Sequence, residues 1–177
     1  MARLIAKSAL ESVLPVVVDG ARLSELDVGP ITSIAPLRGQ EDAVTKALRA
    51  QFPGPGESHA LGDGRIIWAG RMTAFLVGVE APDGIRTSAA VTDQTDGWAA
   101  MQIEGSLAEP TLARLVPLDL RAKAFPFGAS ARTMLGHVPC LIVRQADEVF
   151  EVFVPRSMCR TAVSDLATAM RSVAGRD

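Results

Sequence analysis

Between Ser88 and Arg156 the chain carries short apolar runs whose spacing constrains it to a sheet interrupted by one helix. Apolar side chains alternate through Ala99, Met101 and Ile103, the period of a strand with a buried face. Gly105 ends that run, and Ser106 followed by Glu109 has the spacing of a capping box, which predicts a helix start. After Pro126 and Gly128 come Ala131 to Leu135, Cys140 to Val143 and Val149 to Val154, separated by turn-forming or polar residues. A final stripe of Cys159, Val163, Leu166, Ala167, Met170 and Val173 recurs at helical period, with Arg160, Asp165 and Arg171 off it. The predicted order is strand, strand, helix, strand, strand, strand, helix. The fold class is therefore α+β, a mixed, largely antiparallel sheet with helices packed on it.

The first half reads less sharply. Residues 31 to 37 predict a strand. After Gly39 comes an amphipathic helix, with Val44, Ala47, Leu48 and Phe52 on one face, ending before Pro53. Gly54-Pro55-Gly56 lacks the Lys-Ser/Thr of a phosphate-binding loop and reads as a plain connection. Arg65 to Ala69 and Thr73 to Val79 predict a hairpin about Gly70-Arg71-Met72, and Asp83-Gly84 turns the chain into the second half. Strand, helix, strand, strand in 31–79 echoes the same series in 97–144, a candidate duplication without a residue-level repeat. Pro15, Pro30 and the Asp19-Gly20 turn pair predict an extended arm over residues 1–30. A single α+β domain follows over 31–177, with pseudo-halves 31–85 and 86–177.

A chain of 177 residues buries enough surface, about 70% of what the unfolded chain exposes, to need no disulfide or metal staple. Lys and Arg total 18 against 20 Asp and Glu, with no block of like charge, which disfavours nucleic acid and anionic membranes as partners. The mean hydropathy of +0.22 is high for a small domain, yet no apolar run reaches the roughly 18 residues of a membrane helix. The surplus fits an alanine-rich and valine-rich core or a face covered by another subunit. Cys140 in a predicted strand and Cys159 on a predicted helix have no CxxC or metal spacing, as expected of buried thiols in a reducing cytoplasm. The start, MARLIAKSALESVL, lacks the apolar core of a secretory signal, so a cytoplasmic location is expected.

Residues able to do chemistry are few. The chain has no Tyr and two His. His59 is expected in a loop and His137 in a tight turn, without the spacing of a metal pair. Asp93 and Asp96 have the composition of a hairpin loop, and Asp119 follows the predicted helix. No dinucleotide fingerprint and no cysteine cluster appears.

Leu115-Val116-Pro117-Leu118-Asp119-Leu120, then Ala124-Phe125-Pro126, Gly128 and Ala131-Arg132-Thr133-Met134-Leu135-Gly136, closely resembles the gamma subunits of heterotetrameric sarcosine oxidases. Weaker likeness extends through Lys7-Ser8-Ala9-Leu10 and Arg65-Ile66-Ile67-Trp68-Ala69-Gly70. More distantly, Val91-Thr92-Asp93, Gly105, Leu115 and Asp119 look like the opening segment of the aminomethyltransferase and folate-binding family. The resemblance implies part of that folate-binding fold. It also implies a non-catalytic subunit of an oxidoreductase that acts on CH-NH donors with oxygen as acceptor. Such an enzyme oxidatively demethylates sarcosine to glycine, giving hydrogen peroxide and formaldehyde or methylenetetrahydrofolate.

The expected partners are alpha, beta and delta subunits. A dinucleotide cofactor (NAD) and tetrahydrofolate are implied on alpha, FAD and covalent FMN on beta, and zinc on delta. No cofactor, metal or catalytic residue is implied on this chain. The aminomethyltransferases carry an acidic pair ahead of the strand matching Cys140 to Val143, where this chain has Gly136-His137-Val138-Pro139 and no carboxylate. The resemblance thus implies a relative without that active site. Candidate subunit contacts are Trp98, read on the polar face of its strand with Gln102 and Glu104, and the strand-flanking arginines Arg132 and Arg156. An equivalent subunit of a related N-methyl amino acid oxidase or dehydrogenase, and a stand-alone folate-binding module, are the alternatives.

Overall fold

Strands that are apolar on both faces must be covered on both sides. The computed structural model, which describes residue 5 and residues 7–175, meets that demand with two stacked sheets and helices outside them. The first sheet has the spatial order β1 (Val16–Val18), β2 (Ala21–Glu25), β8 (Trp98–Glu104), β11 (Val149–Pro155), β10 (Val138–Ala146) and β9 (Ser130–Leu135). The second has the order β4 (Ser58–Leu61), β5 (Gly64–Gly70), β6 (Thr73–Val77), β3 (Ile31–Pro36) and β7 (Ala89–Asp93). Every strand pair among the described residues is antiparallel. The expected α+β class holds, and the single mixed sheet becomes two antiparallel ones.

Three apolar layers result. Between the sheets lie Ile31, Ile67, Phe75 and Val77 from one, and Ala100, Leu141, Val143 and Phe153 from the other. Outside the second sheet, α1 (Glu41–Leu48) and the 3₁₀ turn Ile85–Thr87 cover Ile34, Ile66, Ala74 and Leu76 with Val44, Leu48 and Ile85. Outside the first, α2 (Ala108–Leu112) and α3 (Cys159–Ala174) close the thickest layer, around Met101, Ile103, Ile142, Phe150, Leu166 and Met170.

The connections reveal two repeats that exchange their first strands. One runs β2-β3-α1-β4-β5-β6 and the other β7-β8-α2-β9-β10-β11. Yet β2 pairs with β8 and β7 with β3. The hydrogen bonds of the two crossings correspond: Leu26 N–H donates to the Ala100 carbonyl at 3.0 Å, and Gln94 N–H to the Ile31 carbonyl at 2.8 Å. Both repeats also bulge in the same place, between Trp68 and Gly70 and between Arg144 and Ala146.

Where the edge strands β4 and β9 meet, Gly56-Glu57-Ser58 faces Gly128-Ala129-Ser130 in an antiparallel bridge. Ser58 N–H donates to the Gly128 carbonyl (3.0 Å) and Ser130 N–H to the Gly56 carbonyl (2.8 Å). The hydroxyls repeat the reciprocity, Ser58 to the Gly128 carbonyl and Ser130 to the Glu57 carbonyl. Gly56 and Gly128 sit at φ +82° and +78°, a left-handed conformation that favours glycine.

Residues 1–30 are not the arm expected from the sequence. Within the described part, β1 and β2 belong to the six-stranded sheet, and Leu10 and Leu23 are buried in its core. The β1–β2 turn lies so close to the β8–α2 turn that a Cβ on Gly105 would stand 2.4 Å from the Gly20 carbonyl oxygen. That contact admits only glycine at position 105. The capping box does not form: α2 starts at Ala108 without a side-chain cap, because Glu109 accepts a hydrogen bond from Arg144 instead. Helix α1 stops at Leu48, with Arg49 at φ +55°, so Phe52 packs on the outer layer from beyond the helix. His59, expected in a loop, lies in β4.

Leu166 is wholly buried against the first sheet. Leu166→Ala is expected to lower unfolding free energy by about 2–5 kcal/mol through lost burial and the cavity left behind. A urea titration reads this as a lower midpoint, and an unchanged midpoint would contradict the packing.

Candidate functional site

Trp98 opposes Pro155 in the β8–β11 register and meets Phe75 edge-on, ring centroids 5.1 Å apart at 71°. Its ring borders the apolar layer between the sheets, which corrects its placement on a polar face. That layer turns polar further along β8, where Gln102 Nε2 donates to Glu104 Oε2 at 2.9 Å and Arg22 Nε lies 3.9 Å from Glu104. Arg156 Nη2 donates to the Lys7 carbonyl at 2.7 Å. Trp98 and Arg156 share a cleft of about 550 Å³ with Glu25, Asp27, Ile31 and Asp96, at the place where the two repeats cross. Arg132 is elsewhere, on β9, and its Nη1 donates to the Ala69 carbonyl at 2.7 Å, tying the sheets together. Two of the three candidate contact residues therefore come together, and both arginines hold groups of their own chain.

Two arginines, Arg144 buried and Arg65 half-buried, organise the interior. Arg144 is 1% exposed and lies 4.4 Å over the Phe150 ring. It donates to the Leu120 and Asp147 carbonyls and, at 2.9 Å, to Glu109 Oε2. It thereby pins α2 and the long connection after it to β10. Arg65 of β5 pairs across the sheets with Glu151 of β11 and lies 5.8 Å over the Phe153 ring. Burial pushes the Glu151 carboxyl above its ordinary value, while Arg65 and Gln145 work against that. The available signal was a charge inside an apolar run, as in Val149-Phe150-Glu151-Val152-Phe153. Each pair has one buried and one partly exposed member, and removing either partner would leave a charge in or near the apolar interior without its counter-ion.

The remaining titratable candidates are accounted for locally. His59 Nε2 lies 3.2 Å from Glu57 Oε2, and the Gly54 N–H, then His59, hold the Glu57 carboxyl low. These two line a cleft of about 440 Å³ with Phe125, Pro126 and Phe127, the last 74% exposed. His137 is exposed in the β9–β10 turn. The Thr95 N–H holds the Asp93 carboxyl low, and Arg121 holds Asp119 down to about 2. Burial pushes the Cys140 thiol up to about 12, which suppresses the reactive thiolate. Cys159 is buried too. Among the described residues no three His, Cys, Asp or Glu side chains are grouped to hold a metal ion, and no helix is long and apolar enough to cross a membrane.

Glu151 gives a pH signature. A carboxyl whose value is raised on folding binds its proton more tightly in the native state, so its contribution to stability falls as pH rises above about 4.5. Glu151→Gln removes that slope. Relative to the parent, the variant is expected to gain stability as pH rises above about 4.5 in urea titrations, and a difference constant with pH would contradict the burial argument.

Comparison with known proteins places this geometry. The family model described as the GCVT N-terminal domain matches residues 72–176. A chain of the heterotetrameric sarcosine oxidase from Corynebacterium sp. U-96, solved with pyrrole 2-carboxylate, superposes with a TM-score of 0.84 at 20% identity, covering 97% of this chain and 98% of that one. The glycine cleavage system aminomethyltransferase T from Bartonella henselae superposes with a TM-score of 0.59 at 15% identity, covering 83% of this chain and 45% of that one. The chain thus spans less than half the length of that aminomethyltransferase. The fold expected from the sequence resemblance is borne out. A comparison of sequence with curated proteins found no match.

Proposed function

This chain belongs to the GCVT N-terminal domain family, and from that premise we propose that it is the gamma-type subunit of a heterotetrameric sarcosine oxidase. In this reading it supports an alpha subunit, a flavin-bearing beta subunit and a delta subunit in the oxidative demethylation of sarcosine to glycine. FAD, FMN, NAD, zinc and tetrahydrofolate are held by those partners, in the cytoplasm, and this chain contributes packing surface in place of reacting groups. The observation that carries the reading is the end-to-end match: 97% of this chain against 98% of one chain of the Corynebacterium oxidase. The superposition on the aminomethyltransferase is weaker, with a TM-score of 0.59 against 0.84, which favours the subunit reading.

A second reading, a stand-alone folate-binding module, draws on the family and on the aminomethyltransferase superposition. Co-expression with alpha, beta and delta candidates separates the two. The subunit reading expects co-elution in a yellow complex that turns over sarcosine, or another N-methyl amino acid if the partners select one. Elution of this chain alone, with saturable tetrahydrofolate binding, would favour the module.

A further inference from the structure

The two repeats are covered unequally on their outer faces. In the second, the chain leaves β11 through the 3₁₀ turn Arg156–Met158 and runs back as α3 across the sheet. That helix fills the space between the end of α2 and the β9–β10 turn. Arg114 Nη1 donates to Ser172 Oγ at 3.1 Å, and a Cβ on Gly136 would lie 3.4 Å from Asp165 Oδ2. In the first repeat the chain leaves β6 and crosses to β7 with only the 3₁₀ turn Ile85–Thr87 between. Among the described residues no helix takes the place of α3 there.

The corresponding space is open. Leu61-Gly62 ends β4 as Leu135-Gly136 ends β9, and both glycines sit at φ +57°. Among the described residues, however, nothing lies within 4 Å of where a Cβ on Gly62 would be. Between this turn and the end of α1 is a groove of about 650 Å³, with an apolar floor of Ala47, Leu48, Leu61 and Val79. Glu80 and Asp83 stand on one rim, with Arg49 at the helix end.

We propose that this groove is the docking site for an amphipathic helix of a larger partner subunit, lying on the first repeat as α3 lies on the second. The occupant presents an apolar stripe to Leu61 and Val79 and basic side chains to Glu80 and Asp83. The internal template sets its form, since the same sheet architecture is closed by a helix in the other repeat, and the acidic rim sets its charge. This inference rests on the subunit reading above.

The test uses the co-expressed complex. Glu80→Lys with Asp83→Lys reverses two exposed charges without entering the core, and co-elution with the flavin-bearing subunits is expected to fall by about tenfold or more. Benzoylphenylalanine placed at Glu80 or Asp83 is expected to crosslink to a helix-forming, basic segment of a large subunit. Unchanged co-elution of the charge-reversed variant, or crosslinks confined to non-helical segments, would overturn the groove assignment while leaving the subunit reading intact. Failure of the parent chain to co-elute at all would remove that reading and this inference together.

Discussion

Exchange of the first strand between the two repeats is the constraint on which the rest of the architecture depends. β3 sits between β6 and β7, and β8 between β11 and β2, so neither sheet is complete without a strand from the other repeat's sequence. The two crossings converge at one place, which is where Trp98 meets Phe75 and where the cleft with Arg156 opens. At the β4–β9 edges the reciprocal Gly-Xaa-Ser contacts hold the sheets in register. Between these two fastenings lies the apolar layer, whose burial is the main driving force for stacking the sheets.

Polar groups inside this framework act on geometry. Arg144 gathers carbonyls from two separate connections and a carboxylate from α2, so the segment from Ala113 to Gly128 is held although it contains no regular element among the described residues. Arg65 and Glu151 set the offset of one sheet over the other at a point where apolar contact alone would allow sliding. A body fixed in this way presents a rigid surface, as the proposed subunit role requires. The incomplete outer face of the first repeat is the place where that surface is least finished by the chain itself.

The second half was legible in the sequence because β8, β10 and β11 are rich in apolar residues and α3 carries an unbroken stripe. The N-terminal hairpin was not, because Arg22, Ser24 and Glu25 interrupt β2, whose pairing partner lies far along the chain in β8. β4 escaped notice because Ser58-His59-Ala60-Leu61 is a partly exposed edge strand without an apolar run. Trp98 was placed on the wrong kind of surface because one face of β8 changes character along its length, apolar at Trp98 and Ala100, polar at Gln102 and Glu104. The correspondence of Gly56-Glu57-Ser58 with Gly128-Ala129-Ser130 emerges only from their pairing in the fold, since two shared residues are too few to mark a repeat in sequence. The exchange of strands left no trace there either, since it depends on which sheet each strand enters. Arg156 flanks β11 as expected, whereas Arg132 lies within β9, and the contacts of both come from distant segments, beyond what spacing can indicate.

If strand exchange binds the repeats into one body, neither sheet can melt alone. The two tryptophans allow this to be measured directly, because Trp68 lies in the second sheet and Trp98 in the first. In Trp98→Phe and Trp68→Phe variants, urea unfolding followed by the remaining tryptophan's fluorescence is compared with far-ultraviolet circular dichroism of the same variant. Coincident single transitions in both variants are the predicted result. A fluorescence transition separated from the dichroism transition in either variant would mean that one sheet survives without the other, and would contradict the account.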